Sequence, residues 1–289
     1  MSTIDPSLRI ASVTLAVSDL DRSVDFYVRV LGLELMGSEN HHALLGTEDE
    51  HPALLLTSLD EPTIAPANST GLFHVAWLHR TRAGLAQSLR RVAANNWPLE
   101  GASDHGVSEA LYLSDPDGLG IELYADRPRE SWEPGPEGHG VRMFTIGLDL
   151  EDLLAQARAA SARIQSATRI GHVHLKVSDV PAAVAFYREG LGFEEQARIP
   201  SAGFLSAGGY HHHIGLNSWQ SQGGSPAPGD APGLRLIDFQ LTGPKALSEL
   251  RGRLHSHAQS AFTGEVEDRL VLTDPDGTRL SFSGATSER

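Results

Sequence analysis

Three consecutive histidines stand in "GGYHHHIGLN" at 208–217, inside a stretch that reads as a strand. Such side chains can hold a metal, do chemistry beside one, or face solvent. The chain carries 14 histidines and no cysteine, so a metal site would have to use His, Asp and Glu. Thiol nucleophiles and disulfides are excluded. Strand alternation singles out further candidates. In "GLFHVAW", Phe73, Val75 and Trp77 share one face and His74 takes the other. In "GHVHLKV", His172 and His174 oppose Val173, Leu175 and Val177, and Glu122 likewise opposes Ile121 and Leu123. Each points away from the stripe that would bury against helices, and each, taken singly, reads as solvent-facing or hydrogen-bonded. Within the triplet, alternation sets His212 with Ile214 and Leu216 and turns His211 and His213 the other way, so a bulge would decide which one faces a site.

The elements that must position these residues repeat. "SVTLAVSDLDRSVDFYVRVLGLEL" at 12–35 matches "HVHLKVSDVPAAVAFYREGLGFEE" at 172–195: an alternating strand, Ser-Asp, a short helix with Phe-Tyr, then Leu-Gly. "GLFHVAWL" at 71–78 and "GLRLIDFQL" at 233–241 begin a second pair, each followed by an amphipathic stretch. That pair ends in "YLSDPDGLGIELY" (112–124) and "VLTDPDGTRLSFS" (271–283), where Asp-Pro-Asp-Gly marks a turn between strands. The chain is thus four strand-helix-strand-strand-strand modules in the order A, B, A′, B′. The expected fold is α+β: four βαβββ modules forming two eight-stranded, cup-shaped mixed sheets with helices outside. Residues 1–131 should hold the N-terminal pair of modules and 165–289 the C-terminal pair. Between them, 132–164 reads as a linker with a short helix in "DLEDLLAQARAAS".

Composition narrows the function classes. The 289 residues carry 23 Lys and Arg against 37 Asp and Glu, a formal charge of -14, and no basic patch, so a nucleic-acid partner is not expected. The opening "MSTIDPSLRI" has no secretory pattern and no stretch approaches a membrane span, so the expectation is a cytoplasmic protein without a membrane partner. There is no phosphate-binding glycine loop and no nucleophile elbow. His41, His42, His51, His79, His139, His255 and His257 lie in polar surroundings and read as solvated loop residues.

The four-module pattern, with its paired Phe-Tyr/Leu-Gly and Asp-Pro-Asp-Gly signatures, resembles the vicinal oxygen chelate superfamily, which includes glyoxalases, bleomycin-resistance proteins and extradiol catechol dioxygenases. That resemblance implies metal ligands on the first and last strands of a module, facing the cup. The matching positions are His172 in A′ and His74 and Glu122 in B, whereas Ser12 in A and Leu236 and Ser281 in B′ offer no useful ligand. His174 is the rival to His172. Two His and one Glu form the open facial set that non-heme Fe(II) uses, with Mn(II) as the second metal. Ligands from B and A′ imply that B pairs with A′ and A with B′ within one chain, or that two chains exchange modules in a homo-oligomer.

Within the superfamily the chain is most similar to two-domain catechol 2,3-dioxygenases. Tyr112 stands ten residues before Glu122, as their substrate-binding tyrosine does, and "HHHIGL" supplies their acid-base histidine, with His212 in best register. A further family histidine lies nine residues before the tyrosine; His105 here lies seven before. The resemblance implies ring cleavage of an aromatic diol, catechol-type or hydroquinone-type, with both atoms of O2 incorporated. His212 would move the hydroxyl proton, and Tyr112, with His105 behind it, would orient an oxygen. Two other classes fit the fold: a metal-dependent glyoxalase-type isomerase or lyase, and a non-catalytic protein that binds a drug or aromatic compound.

Overall fold

The computed structural model describes residues 3–47, 53–258, 261–266 and 268–285; His51 lies outside them. Module A contributes β1 (Arg9–Val17), α1 (Leu20–Arg29), β2 (Glu34–Glu39), β3 (His42–Gly46) and β4 (Leu54–Ser58). Module B follows with β5 (Gly71–His79), α2 (Arg82–Ala94), β6 (Gly101–Asp104), β7 (Ser108–Ser114) and β8 (Gly120–Asp126). The linker forms β9 (Ile146–Gly147) and α3 (Leu150–Ala155), the helix starting on the side chain of Asp149, which accepts from the Asp152 amide. Module A′ supplies β10 (Arg169–Lys176), α4 (Val180–Ala185) continuing into a wider turn over Phe186–Leu191, β11 (Glu194–Ile199), β12 (Ala202–Ser206) and β13 (Ile214–Asn217). Module B′ supplies β14 (Gly233–Leu241), α5 (Pro244–His257), β15 (Phe262–Val266), β16 (Arg269–Thr273) and β17 (Arg279–Gly284).

The strands form two mixed sheets, ordered β15-β16-β17-β14-β1-β4-β3-β2 and β11-β12-β13-β10-β5-β8-β7-β6-β9. A therefore pairs with B′ and B with A′, all within one chain. The second sheet has nine strands rather than eight because the linker lays β9 against β6.

The repeated motifs tie the modules together in the other direction. Asp19 caps α1 by accepting from the Arg22 amide, a contact worth about 1 kcal/mol. The helix then buries Ser23, Phe26 and Tyr27, one face at helical spacing. The Tyr27 hydroxyl donates to Asp115 of the B turn (3.1 Å), and Tyr187 donates to Asp274 of the B′ turn (2.9 Å). The Ser18 and Ser178 amides donate to Asp117 and Asp276 of the same turns. Sheet pairing thus joins A to B′ and B to A′, while these bonds join A to B and A′ to B′. One continuous apolar core runs beneath all four modules, from Leu15 and Phe26 to Phe239 and Phe282.

Both central strand pairs carry bulges at matching places. Along β10 and β5, Ile170 faces Trp77 but His172 faces Ala76, leaving Gly171 extra; His174 faces His74 but Leu175 faces Leu72, leaving Phe73 extra. The β1–β14 pair repeats the pattern, with Ala11 and Arg235 as the extra residues. The bulge at Phe73 breaks the alternation expected for "GLFHVAW", and Phe73 turns to the cavity wall beside His74 rather than joining Val75 and Trp77 in the core.

Candidate metal centre

Three neighbouring central strands of the nine-stranded sheet bring the donors together. His74 on β5, His172 on β10 and Glu122 on β8 are all buried. The Glu122 Oε2 lies 2.9 Å from His74 Nε2 and 3.1 Å from His172 Nε2, and the two imidazole nitrogens are 3.3 Å apart. Donors held at right angles about 2.1 Å from one centre would be separated by about 3.0 Å, so the spacing fits three adjacent positions around a single cation. Among the described residues, this is the one group of three or more potential donors that converges in this way.

Charge supports the same reading. Burial raises the Glu122 carboxyl, yet the imidazoles of His172 and His74 outweigh it and hold the group well below the usual carboxylate range. Burial pushes His172 down to about 4 against the pull of Glu122, and pushes His174 and His212 well below an ordinary imidazole. The result is a buried carboxylate set between two imidazoles, and among the described residues no Lys or Arg lines the adjoining cavity. A divalent cation held by these three side chains would complement the buried carboxylate.

That cavity measures about 400 Å³ and opens over the donors. Its walls are largely aromatic and apolar, with Phe73, Phe204 and Trp219 packed around His174 and Phe144 also lining it. Tyr112 lies directly across from Glu122 in the β7–β8 register, and its hydroxyl is 2.7 Å from His105 Nε2. His105 Nδ1 donates to the Phe144 carbonyl (3.0 Å), so Nε2 accepts and the Tyr112 O–H donates. The seven-residue spacing between His105 and Tyr112 thus still produces a direct bond. Burial, with the Glu122 charge next, raises the Tyr112 phenol well above 10 and keeps it protonated.

The histidine triplet does not lie in the strand where alternation was applied to it. Gly208 and Gly209 adopt positive φ of 61° and 66°, and 211–213 form the irregular approach to β13. His212 consequently lays its ring 4.0 Å from that of His172 and lines the cavity. His213 staples the turn by accepting from the Ala207 amide (3.1 Å), and His211 is fully buried behind His212. His174 is excluded from the donor group but is buried on the cavity wall, and its Nε2 has no hydrogen-bond partner.

Of the residues singled out in the sequence, His74, His172, Glu122, Tyr112, His105 and His212 all border one cavity or its donor cluster, whereas Ser12 and Ser281 belong to the other sheet. Two features escaped that reading. Asp126 sits four residues beyond Glu122 on the same strand face as Tyr124, and alternation alone would have found it. His79 is not a solvated loop residue: it ends β5 buried, its Nδ1 donating to the Tyr124 carbonyl and its Nε2 2.8 Å from Ser88 Oγ.

A profile of the Glyoxalase/Bleomycin resistance protein/Dioxygenase superfamily matches residues 9–123 and 169–282. Catechol-2,3-dioxygenase of Bacillus subtilis (strain 168) is 38% identical over 287 residues, spanning 98% of this chain and 99% of that protein. Biphenyl-2,3-diol 1,2-dioxygenase 3 of Rhodococcus globerulus is 29% identical over 165 residues, 55% of this chain and 85% of its own length. A Bacillus subtilis crystal structure assigned as a dioxygenase superposes with a TM-score of 0.66 at 15% identity, over 98% of this chain and 86% of that one, a likeness of fold alone.

Proposed function

The chain belongs to the Glyoxalase/Bleomycin resistance protein/Dioxygenase superfamily, and on that footing we propose that it is a metal-dependent extradiol dioxygenase that opens the ring of a catechol-type diol with O2. The observation that carries this is the convergence of His74, His172 and Glu122 at cis-ligand spacing on the floor of an aromatic-walled cavity. The near-full-length relative named catechol-2,3-dioxygenase supports the ring-cleavage reading over the other chemistries of the fold. Fe(II) is the proposed metal, with Mn(II) the alternative that the same donors accept. Held by His74, His172 and Glu122, the metal would supply Lewis acidity toward the diol oxygens and a centre for reaction with O2.

The remaining work falls to the chain's own side chains. Phe73, Phe204 and Trp219 hold the ring and exclude water. His212, neutral through burial and set against His172, takes a hydroxyl proton from the diol and later returns one to the product. Tyr112, held by His105 in the free site, turns its O–H from that ring to a substrate oxygen, orienting it and stabilising charge that develops on it.

A glyoxalase-type reaction usually draws on a fourth protein donor, and among the described residues the cluster has three. The test is to load the protein with Fe(II) without oxygen, add catechol and then admit O2, following oxygen uptake and a yellow ring-fission product. Glu122→Gln should lose metal and turnover together. Metal binding without product across a panel of diols would favour the isomerase, and ligand binding unaffected by Glu122→Gln would favour a sequestering protein.

A further inference from the structure

Behind His212 runs a chain of hydrogen bonds that leads away from the donor cluster. His212 Nδ1 lies 2.7 Å from His211 Nδ1, and His211 Nε2 lies 3.0 Å from Asp126 Oδ1. The same carboxylate oxygen accepts from the Tyr210 hydroxyl (3.1 Å), which is itself 2.8 Å from the Tyr124 hydroxyl. His211 is fully buried, its ring packed against Tyr210 (4.0 Å between centroids) and Trp132 (5.3 Å). Packing of this kind fixes a ring rather than letting it swing.

Donor and acceptor roles along the chain are determined from its far end. A carboxylate accepts only, so His211 Nε2 must carry the hydrogen it donates to Asp126. A neutral imidazole has a single N–H, which leaves His211 Nδ1 as an acceptor. The short contact to His212 is then satisfied only if His212 Nδ1 carries a hydrogen. His212 Nε2 is left as an unshared lone pair, and no bond from it to another described residue competes for it.

We propose that Asp126, acting through His211, is a positioning residue that locks His212 in the Nδ1–H tautomer and presents its bare Nε2 to the cavity. The assignment of a role to His212 rests on the ring-cleavage reading; the tautomer itself does not. His211 and His212 therefore share one task, with the second ring at the site and the first behind it. Asp126 sits one step further along the β8 face that carries Glu122 and Tyr124, so one strand supplies both a metal donor and the anchor of the base. In the other sheet the matching strand β17 carries Ser281 and Ser283, and among the described residues no counterpart to the chain is formed there.

The test is ¹⁵N NMR of the full chain, labelled at histidine and loaded with diamagnetic Zn(II), at pH 8. His212 should show a protonated Nδ1 and an unprotonated Nε2. Asp126→Leu and His211→Phe should each release His212 into a tautomer mixture, whereas Asp126→Asn, whose amide oxygen still accepts, should retain Nδ1–H. In turnover, Asp126→Leu should lower kcat roughly tenfold or more with little change in KM, as expected when a base spends time in the wrong tautomer. A wild-type His212 protonated at Nε2 overturns the proposal, as does an Asp126→Leu protein with an unchanged tautomer. If Asp126→Leu does not fold, the wild-type spectrum and His211→Phe decide the matter. Failure of every diol to turn over would sink the ring-cleavage reading and leave the tautomer measurement standing.

Discussion

Tyr112 and Glu122 face each other across β7 and β8, and the hydroxyl of the first reaches the cavity held by His105. Tyr112→Phe removes one donor from the site while leaving the ring in place. Hydrogen bonds to charged groups are worth about 1.5–3 kcal/mol, so kcat/KM for catechol should fall roughly 10- to 100-fold with metal content unchanged, a split that metal analysis and steady-state kinetics read together. His79 is a second residue-scale case, remote from any chemistry. Burial, then the nearby Arg91 charge, lowers it from 6.5 to about 4. Because the folded form resists protonation, this group's contribution is fully present above pH 6.5 and is lost as pH falls toward 4. That difference corresponds to at most about 3 kcal/mol. His79→Gln should therefore flatten the fall in stability between pH 6.5 and 4, measured by urea unfolding of both proteins at several pH values; parallel curves would show that His79 does not titrate there.

At the scale of elements, the site depends on how closely β5 and β8 approach. His74 faces Gly120 in their register, and a Cβ at Gly120 would lie 2.1 Å from the Phe73 carbonyl oxygen and 3.1 Å from His74 Cβ. Any side chain there must push apart the two strands that carry His74 and Glu122. Gly120→Ala should destabilise the fold by about 1–3 kcal/mol, the range for overpacking. It should also weaken metal binding by more than a comparable destabilisation elsewhere, which calorimetry with Mn(II) would check. Gly171 plays the corresponding part on β10, where a Cβ would strike the Tyr124 hydroxyl. The bulges at Gly171 and Phe73 bracket His172 and His174, so the strand pair is bent where the donors must turn inward.

The whole molecule is two copies of one bulged frame with different contents. Where one sheet holds His172, His74 and Glu122, the other has Ser12, Leu236 and Ser281; there Ser12 bonds to Asp238, which pairs with Arg269 at 2.6 Å. At the place of His172, that sheet thus carries a serine bonded to an ion-paired carboxylate. Because each sheet takes one module from each side of the linker, the segments 1–131 and 165–289 are expected to be incomplete apart. Neither fragment alone should bind Mn(II) with the affinity of the full chain, and mixing them should restore binding. Full affinity in 1–131 alone would remove His172 from the ligand set.

Much of this was legible in the residues. The repeats announced the modules because each must end its strands with the same turns and cap its helix in the same way. Alternation set His74, His172 and Glu122 opposite apolar stripes, and the resemblance to the vicinal oxygen chelate superfamily then marked them as candidate donors. The distribution of those donors between B and A′ even indicated which modules pair. What alternation could not supply was any place where the strand departs from it. The bulge that turns Phe73 to the cavity, and the glycine turn that removes 211–213 from the strand, depend on pairing across the sheet. The same holds for Asp126 and His211, which are 85 residues apart in sequence. Local periodicity fixes which side chains share a face, but only the closed fold decides which faces meet.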